Sequence, residues 1–208
     1  MNVLKTIYIT RHGSTAYNDD DLLQGTIDVT LSEKGIRESE QLAERLKDES
    51  IDVIYHSPLT RTRQTAEIVN RYHQAPLNMI EGFIEIDMGD WEGQDYSKVM
   101  DRYHDLYQQW LSSADAVIPG GESYNQVFKR AKPGTMQILA SQFSNILIVA
   151  HAMVNRAILG NLLDMHPLCS RRFRTYNCSL SKLLVYGTPE KPHVVVEHWN
   201  NTAHLKGI

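Results

Sequence analysis

The chain has 208 residues, with 21 Lys and Arg against 25 Asp and Glu for a formal charge of −4, nine His and two Cys. At 42% apolar and 22% charged it has the composition of a folded domain, long enough to bury roughly 70% of its unfolded surface without metal or disulfide staples. No window approaches the ~18 apolar residues of a membrane span, and the mild acidity argues against a protein that lives on a nucleic-acid backbone, because such binders concentrate basic residues on one face.

In chain order, Val3 to Thr10 is β-branched or aromatic with few breakers and reads as a buried strand that delivers Arg11, His12 and Gly13 at its carboxyl end. Ser32 is placed to cap a helix carrying Ile36, Ala43 and Leu46 at helical spacing, and Ile51 to Tyr55 is a second strand, so that strand, helix and strand form a βαβ unit. A helix over about Thr60 to Tyr72 and a short strand over Pro76 to Ile80 follow. Tyr96 to Leu111 has a helical pattern with Val99, Tyr103, Leu106 and Trp110 on one side, an excursion from the α/β core. A helix over about Tyr124 to Gln142 is expected to kink or break at Lys132-Pro133-Gly134, since proline removes a hydrogen bond. Asn145 to Ala150, NILIVA, reads as a central strand ending at His151, with a helix over about Val154 to Leu163 beyond it. Leu180 to Tyr186 and His193 to Trp199 alternate like two late strands joined by a turn at 187–192. No repeat or linker divides the chain, so one domain is expected over 1–208.

Cys169 and Cys178 lack C-x-x-C or zinc-ligand spacing and fit two structural thiols in a reducing compartment. The N-terminus shows no long apolar stretch followed by a small-residue cleavage site, which gives the cytoplasm as the expected location. His193, His198 and His204 have no ligand-like spacing and read as surface or terminal residues. No metal site and no cofactor are expected.

Two strands therefore end in a histidine, His12 and His151, and open α/β sheets bind ligands beyond the carboxyl ends of their strands. Arg11 adjoins the first of them, and Arg61 and Arg63 open the helix after the second strand. Guanidinium forks and helix N-termini both suit phosphate oxygens.

With these pieces on the page the chain resembles the histidine phosphatase superfamily, the phosphoglycerate mutase-like family. The resemblance is carried by RHGSTAYN at 11–18, QG at 24–25, LSEKG at 31–35, SPLTRTRQTA at 57–66, EIDMGDWEG at 85–93, PGGES at 119–123 and AHAMVNR at 150–156, in the family's order and spacing. It implies an α/β fold, a three-layer α/β/α sandwich with a mostly parallel central sheet, in which 94–123 is a helical lid that sets substrate selectivity. It also implies that His12 is the nucleophile that becomes phosphorylated, that Arg11, Arg61 and His151 hold the phosphoryl oxygens, and that Glu85 is general acid and base. Asn18, Gln24, Gly25, Ser14 and Ala152 would line the same pocket.

The chemistry is consistent with those roles. A histidine nucleophile must be neutral, and the two arginines oppose its protonation. The same cations stabilise charge on the transferring phosphoryl oxygens. A two-step displacement needs one group to protonate the leaving alkoxide and then activate water. Within the family, mutases carry a tryptophan followed by paired arginines that grip a substrate carboxylate, whereas Trp110 is followed here by Leu111, Ser112 and Ser113. The DWEG run after Glu85 is also of the phosphatase branch. The expected activity is a metal-independent phosphomonoesterase acting on a small phosphorylated metabolite. The alternatives are a cofactor-dependent phosphoglycerate mutase and a catalytically inactive phosphate-binding module. Trp91 is expected to pack under the acid-bearing loop, with a place in the substrate-site lining as the alternative, and Tyr96, Arg102, Tyr103, His104 and Tyr107 are candidates for contact with the leaving group. No nucleic acid or membrane partner is expected, and assembly is left open, a homodimer included.

Overall fold

A computed structural model describes residues 2–188, 191–205 and 207. The sheet has six strands, β1 (Lys5–Arg11), β2 (Val53–His56), β3 (Leu77–Met79), β4 (Asn145–Ala150), β5 (Leu180–Thr188) and β6 (Lys191–Asn201). Their spatial order is β3-β2-β4-β1-β5-β6. The first four in that order are parallel, and β5 and β6 are antiparallel to their neighbours. The expected βαβ unit joins two parallel strands that are not adjacent, because β4 lies between β1 and β2 and pairs with both. That insertion gives NILIVA a partner on each side and explains its lack of polar residues after Asn145. The turn expected at 187–192 has its middle, Pro189 and Glu190, outside the described residues.

The helices are α1 (Ala16–Asp19), α2 (Glu33–Leu46), α3 (Thr60–Asn70), α4 (Tyr96–Arg102), α5 (His104–Ser112), α6 (Tyr124–Ala140), α7 (Ala152–Leu162) and α8 (Pro167–Ser170). Side chains alternate across a strand, so each strand feeds two cores. Ile7, Ile9, Ile146 and Ile148 pack with Val127, Ile138, Val154 and Ile158 of α6 and α7. Tyr8, Ile54, Leu147 and Val149 pack with Leu42, Leu46, Ala66 and Val69 of α2 and α3. The result is the three-layer α/β/α sandwich. Among the described residues, no helix is long and apolar enough to cross a membrane.

Three expectations are corrected in detail. Ser32 caps α2 by accepting from the Gly35 amide, but Ile36 is exposed and the buried stripe runs through Gly35, Ser39, Leu42, Ala43 and Leu46. The helical run at 96–111 is two helices, broken at Tyr103, where φ is −115° and ψ 33°. Conversely α6 runs through Pro133 without interruption. Pro133 lies on the exposed side, where solvent can reach the carbonyl deprived of its amide, while Gly134 faces inward against Ile80 and Phe83 with no room for a Cβ. Cys178 is buried, its thiol pushed up by burial, and Cys169 is exposed.

Candidate active site

The adjacency of β1 and β4 creates the site. Arg11 is in register with Ala150, and the His12 amide donates to the Ala150 carbonyl at 3.0 Å. His12 and His151 therefore leave the sheet side by side, their rings edge to face with centroids 5.2 Å apart. The turn after β1 is held from below by α2. A Cβ on Gly13 would stand 2.3 Å from the Gly35 carbonyl oxygen, and one on Gly35 1.9 Å from that of Ser14. The glycines of the RHG and LSEKG segments are thus two halves of one backbone contact.

A cleft of about 170 Å³ opens above this turn. Arg11, His12, Asn18, Gln24, Gly25, Arg61, Glu85 and Ala152 of the expected residues all line it. The His12 Nδ1 lies 2.7 Å from the Gly13 carbonyl oxygen. Because a carbonyl only accepts, Nδ1 carries the proton in the neutral ring, and Nε2 is the nitrogen with a free lone pair. The ring is held neutral first by burial, which pushes its pKa well below the ordinary value, and then by Arg61 and Arg11. The arginines act in the expected direction, but burial is the larger cause.

Arg61 is 1% exposed. Its Nη1 donates to the Ile27 carbonyl and its Nη2 to that of Gly25, both at 2.8 Å, and its Nε to the His151 Nδ1 at 3.3 Å. Of five N–H donors, three are spent on fixing the fork. Burial lowers its pKa to about 10, so it stays a cation at neutral pH. Gly25 turns with φ +55°, and a Cβ there would lie 2.0 Å from Glu92 Oε1. Glu92 in turn accepts from the Thr26 amide at 2.6 Å, which ties the acid-bearing loop to the Gln24-Gly25 turn. The Gln24 Oε1 accepts from Thr15 Oγ1 at 2.9 Å, and its Nε2 has no protein acceptor. Asn18 accepts through Oδ1 from Thr15 and Asn177. The α7 N-terminus brings Ala152 to the cleft wall, where main-chain N–H groups and the helix dipole favour an anion.

Glu85 accepts from the Ile86 amide at 2.9 Å and, through its other oxygen, from the Met153 amide at 3.3 Å. Of the four nearby acids only Glu85 lines the cleft. Asp87 accepts from the Gly89 amide, and Glu92 is occupied as described.

Two expected residues sit differently. Ser14 faces away from the cleft, its amide and hydroxyl donating to Glu38 at 2.7 and 3.0 Å. The hydroxyl holds α2 to the turn instead of meeting a ligand. His151 touches His12, but both its nitrogens are engaged, Nδ1 by Arg61 and Nε2 by Ser57 Oγ at 2.7 Å. It orients the guanidinium in this state, and burial pushes its pKa well below the ordinary value. Sequence reasoning gave no role to Ser57 or to Asn177, whose side chain donates to the His12 carbonyl at 2.9 Å. It also missed Arg130. That guanidinium donates to the carbonyls of Gly82, Ile84 and Glu85 and closes a two-point ion pair with Glu122 at 2.9 Å, fixing the acid loop to the PGGES loop.

The excursion covers a second, larger cavity of about 600 Å³ that shares Leu23 and Met88 with the cleft. Trp91 is buried there against Tyr103, Tyr107 and Trp110. Tyr96 and Tyr107 line it and hydrogen-bond each other. Arg102 and His104 are exposed and Tyr103 packs behind Trp91, so these three candidates do not line it.

A cleft of this design is suited to holding a phosphoryl group against a neutral imidazole, the task that defines phosphohistidine enzymes. The chain belongs to the histidine phosphatase superfamily (branch 1), whose family model matches residues 7–202. It is 30% identical over 206 residues to a probable phosphoglycerate mutase GpmB of Proteus mirabilis, covering 97% of this chain and 95% of that protein. It is 29% identical to phosphoserine phosphatase 1 of Hydrogenobacter thermophilus, with 96% and 93% covered. Against a probable 2-carboxy-D-arabinitol-1-phosphatase of Arabidopsis thaliana it is 28% identical over 95% of its own length but spans only 42% of that longer protein. The solved structure of Bacillus stearothermophilus YhfR superposes with a TM-score of 0.85 at 28% identity, covering 97% of this chain and all of that one.

Proposed function

We propose that the protein is a phosphomonoesterase that hydrolyses small phosphorylated metabolites, without a metal ion, through a phosphohistidine on His12. The observation that carries this reading is the 2.7 Å contact of His12 Nδ1 with the Gly13 carbonyl: a carbonyl only accepts, so Nδ1 bears the proton and the lone pair is on Nε2. In the first step Nε2 forms a bond to phosphorus as the ester P–O bond breaks. The remaining Arg61 donors, Arg11 and the free amide of Gln24 stabilise the equatorial oxygens, and Glu85 gives its proton to the departing alkoxide. In the second step Glu85 takes a proton from water, the water oxygen bonds to phosphorus, and the P–N bond breaks to return neutral His12 and phosphate. Residues 1–208 act in this reading as one unit, with 94–123 as the cover over the leaving group. The same reading places the protein in the cytoplasm, in keeping with its unpaired cysteines.

The test is release of phosphate from 4-nitrophenyl phosphate in EDTA, with acid-quenched trapping of labelled enzyme. Retained activity, loss of on the order of 10⁴-fold or more in His12→Ala, and an acid-labile phosphoenzyme are the expected results. Unchanged turnover in His12→Ala overturns the reading. The likeness to a probable mutase at 30% identity favours a second reading, in which the phosphoryl group returns to a sugar acid; rapid isomerisation of 3-phosphoglycerate stimulated by bisphosphoglycerate would establish it.

A further inference from the structure

The 600 Å³ cavity beside the catalytic cleft has no acidic residue in its lining, and three of its lining residues are Arg156, Arg171 and Arg172. None of the three forms an ion pair among the described residues. Arg156 lies on α7 four residues beyond Ala152, so it stands about 6 Å further along the axis at a rise of ~1.5 Å per residue. Its Nη1 reaches the Met153 sulfur at 3.1 Å, and Met153 itself lines the catalytic cleft. Arg171 comes from the end of α8, its guanidinium carbon 3.6 Å from the centroid of the Trp110 ring and its Nη1 bonded to the Trp110 carbonyl.

These guanidiniums are fixed but not satisfied. Arg156 Nε, Arg171 Nη2 and the indole nitrogens of Trp91 and Trp110 are all buried without a hydrogen-bond partner. All four are donors, and no acceptor from the protein answers them. Burial lowers the pKa of both arginines, Arg171 to about 10 with Arg156 adding to the effect, which leaves two cations facing one cavity at neutral pH. A buried donor without a partner is costly, and a planar guanidinium matches carboxylate or phosphate oxygens.

We infer that this cavity is a second anion site: the ester cleaved at His12 carries, a few bonds from its phosphate, a carboxylate or second phosphate that Arg156 and Arg171 bind over the face of Trp110. The inference rests on the phosphatase reading of the cleft and names the substrate class that reading leaves open. A neutral aryl group would bury the same surface and leave the donors unpaired, and a neutral sugar could accept from them through its hydroxyls but would leave two guanidinium charges unbalanced. The arginines come from 156 and 171, outside the excursion expected to set selectivity, which supplies the aromatic wall.

Matched esters test it. kcat/KM is measured for 3-phosphoglycerate against glycerol 3-phosphate, which differ by a carboxylate, and for fructose 1,6-bisphosphate against fructose 6-phosphate, which differ by a phosphate. A wild-type preference of about tenfold or more in either pair is the expected result; the first pair alone identifies a carboxylate, the second a phosphate. Arg156→Gln and Arg171→Gln should each cut that preference at least about fivefold. A ratio near one in both pairs, or a preference that survives both substitutions, overturns the inference. Since Arg171 also packs on Trp110, a variant of it that fails to fold leaves the decision to Arg156→Gln. Calorimetric titration with 3-phosphoglycerate and glycerol 3-phosphate separates the two readings. If no ester is hydrolysed, 4-nitrophenyl phosphate included, the phosphatase reading fails. Tighter binding of 3-phosphoglycerate that is lost in Arg156→Gln still upholds the second site, and equal affinities overturn it.

Discussion

The catalytic cleft and the outer cavity share two wall residues and differ in how far the protein itself satisfies their polar groups, although Arg11 Nε and Gln24 Nε2 in the cleft are also buried without a partner. In the cleft the protein holds most of what it needs. Arg61 is fixed by two carbonyls and an imidazole, Glu85 by two main-chain amides, and His12 by its own turn. In the outer cavity two arginines and two tryptophans keep buried donors without protein partners. The phosphoryl group is common to every ester, so its surroundings can be fixed in advance, with Arg11 Nε and Gln24 Nε2 left to meet its oxygens, and need little reorganisation when charge develops. The remainder of the substrate varies, and groups that only the right ligand completes are what separate one ester from another.

The largest effect that bears on this contrast is Glu85→Gln, which keeps shape but removes the transferable proton. A loss in kcat on the order of 10²–10⁴-fold is expected, equal for 3-phosphoglycerate and glycerol 3-phosphate in steady-state kinetics. If the ratio between the two esters moves as well, the cleft is reading the leaving group and the contrast is broken. Arg130→Met should act more weakly, roughly tenfold and in kcat more than KM. Arg130 reaches the acid through the Glu85 carbonyl and is tied to Glu122, and it does not itself line the cleft. Because the guanidinium serves four acceptor groups at once, Arg130→Lys should rescue little of the loss. Full rescue by lysine would show that its charge, and not its geometry, is what matters.

What was legible in the sequence follows the same line. NILIVA, the strand before Arg11 and the Ser32 cap could be read because each is a local pattern of hydrophobicity or capping. The cleft residues could be read because they lie in short segments with characteristic spacing. The insertion of β4 between β1 and β2 could not, since strand order depends on pairings about 90 to 140 residues apart in the chain. Ser14 and its neighbour Thr15 look alike in the sequence, and only the approach of Glu38 from α2 decides that the first turns inward. Ser57, Arg130 and Asn177 act through single long-range hydrogen bonds or networks that carry no local signature. Arg156 stood within a segment that matched, but its use depends on α5, which provides the aromatic wall, and on Arg171 at the end of α8. Pro133 gave a true local signal that was overridden, because its missing bond falls on the solvent side of α6.

The smallest expected effect is thermodynamic and tests how the cleft keeps its imidazoles neutral. His12 and His151 both titrate well below the ordinary value in the folded protein, because of burial first and the neighbouring arginines second. The unfolded chain returns them to about 6.5. Between the lowered folded values and 6.5 the unfolded state binds more protons, so their contribution to stability is complete above about pH 6.5 and is lost as pH falls below it. His73, His198 and His204 are shifted in the same direction by burial, so the wild-type slope is a sum over all five. The difference between proteins isolates the cleft. Urea unfolding of wild type and His12→Gln at pH 7.5 and pH 5.5 should give a smaller loss of stability in the variant, by up to the share of one proton, and a double variant with His151→Gln a smaller loss again. If His12→Gln matches the wild-type slope, neither burial nor the neighbouring arginines hold the ring neutral, and a bound phosphoryl anion, which favours the protonated ring, cannot take their place.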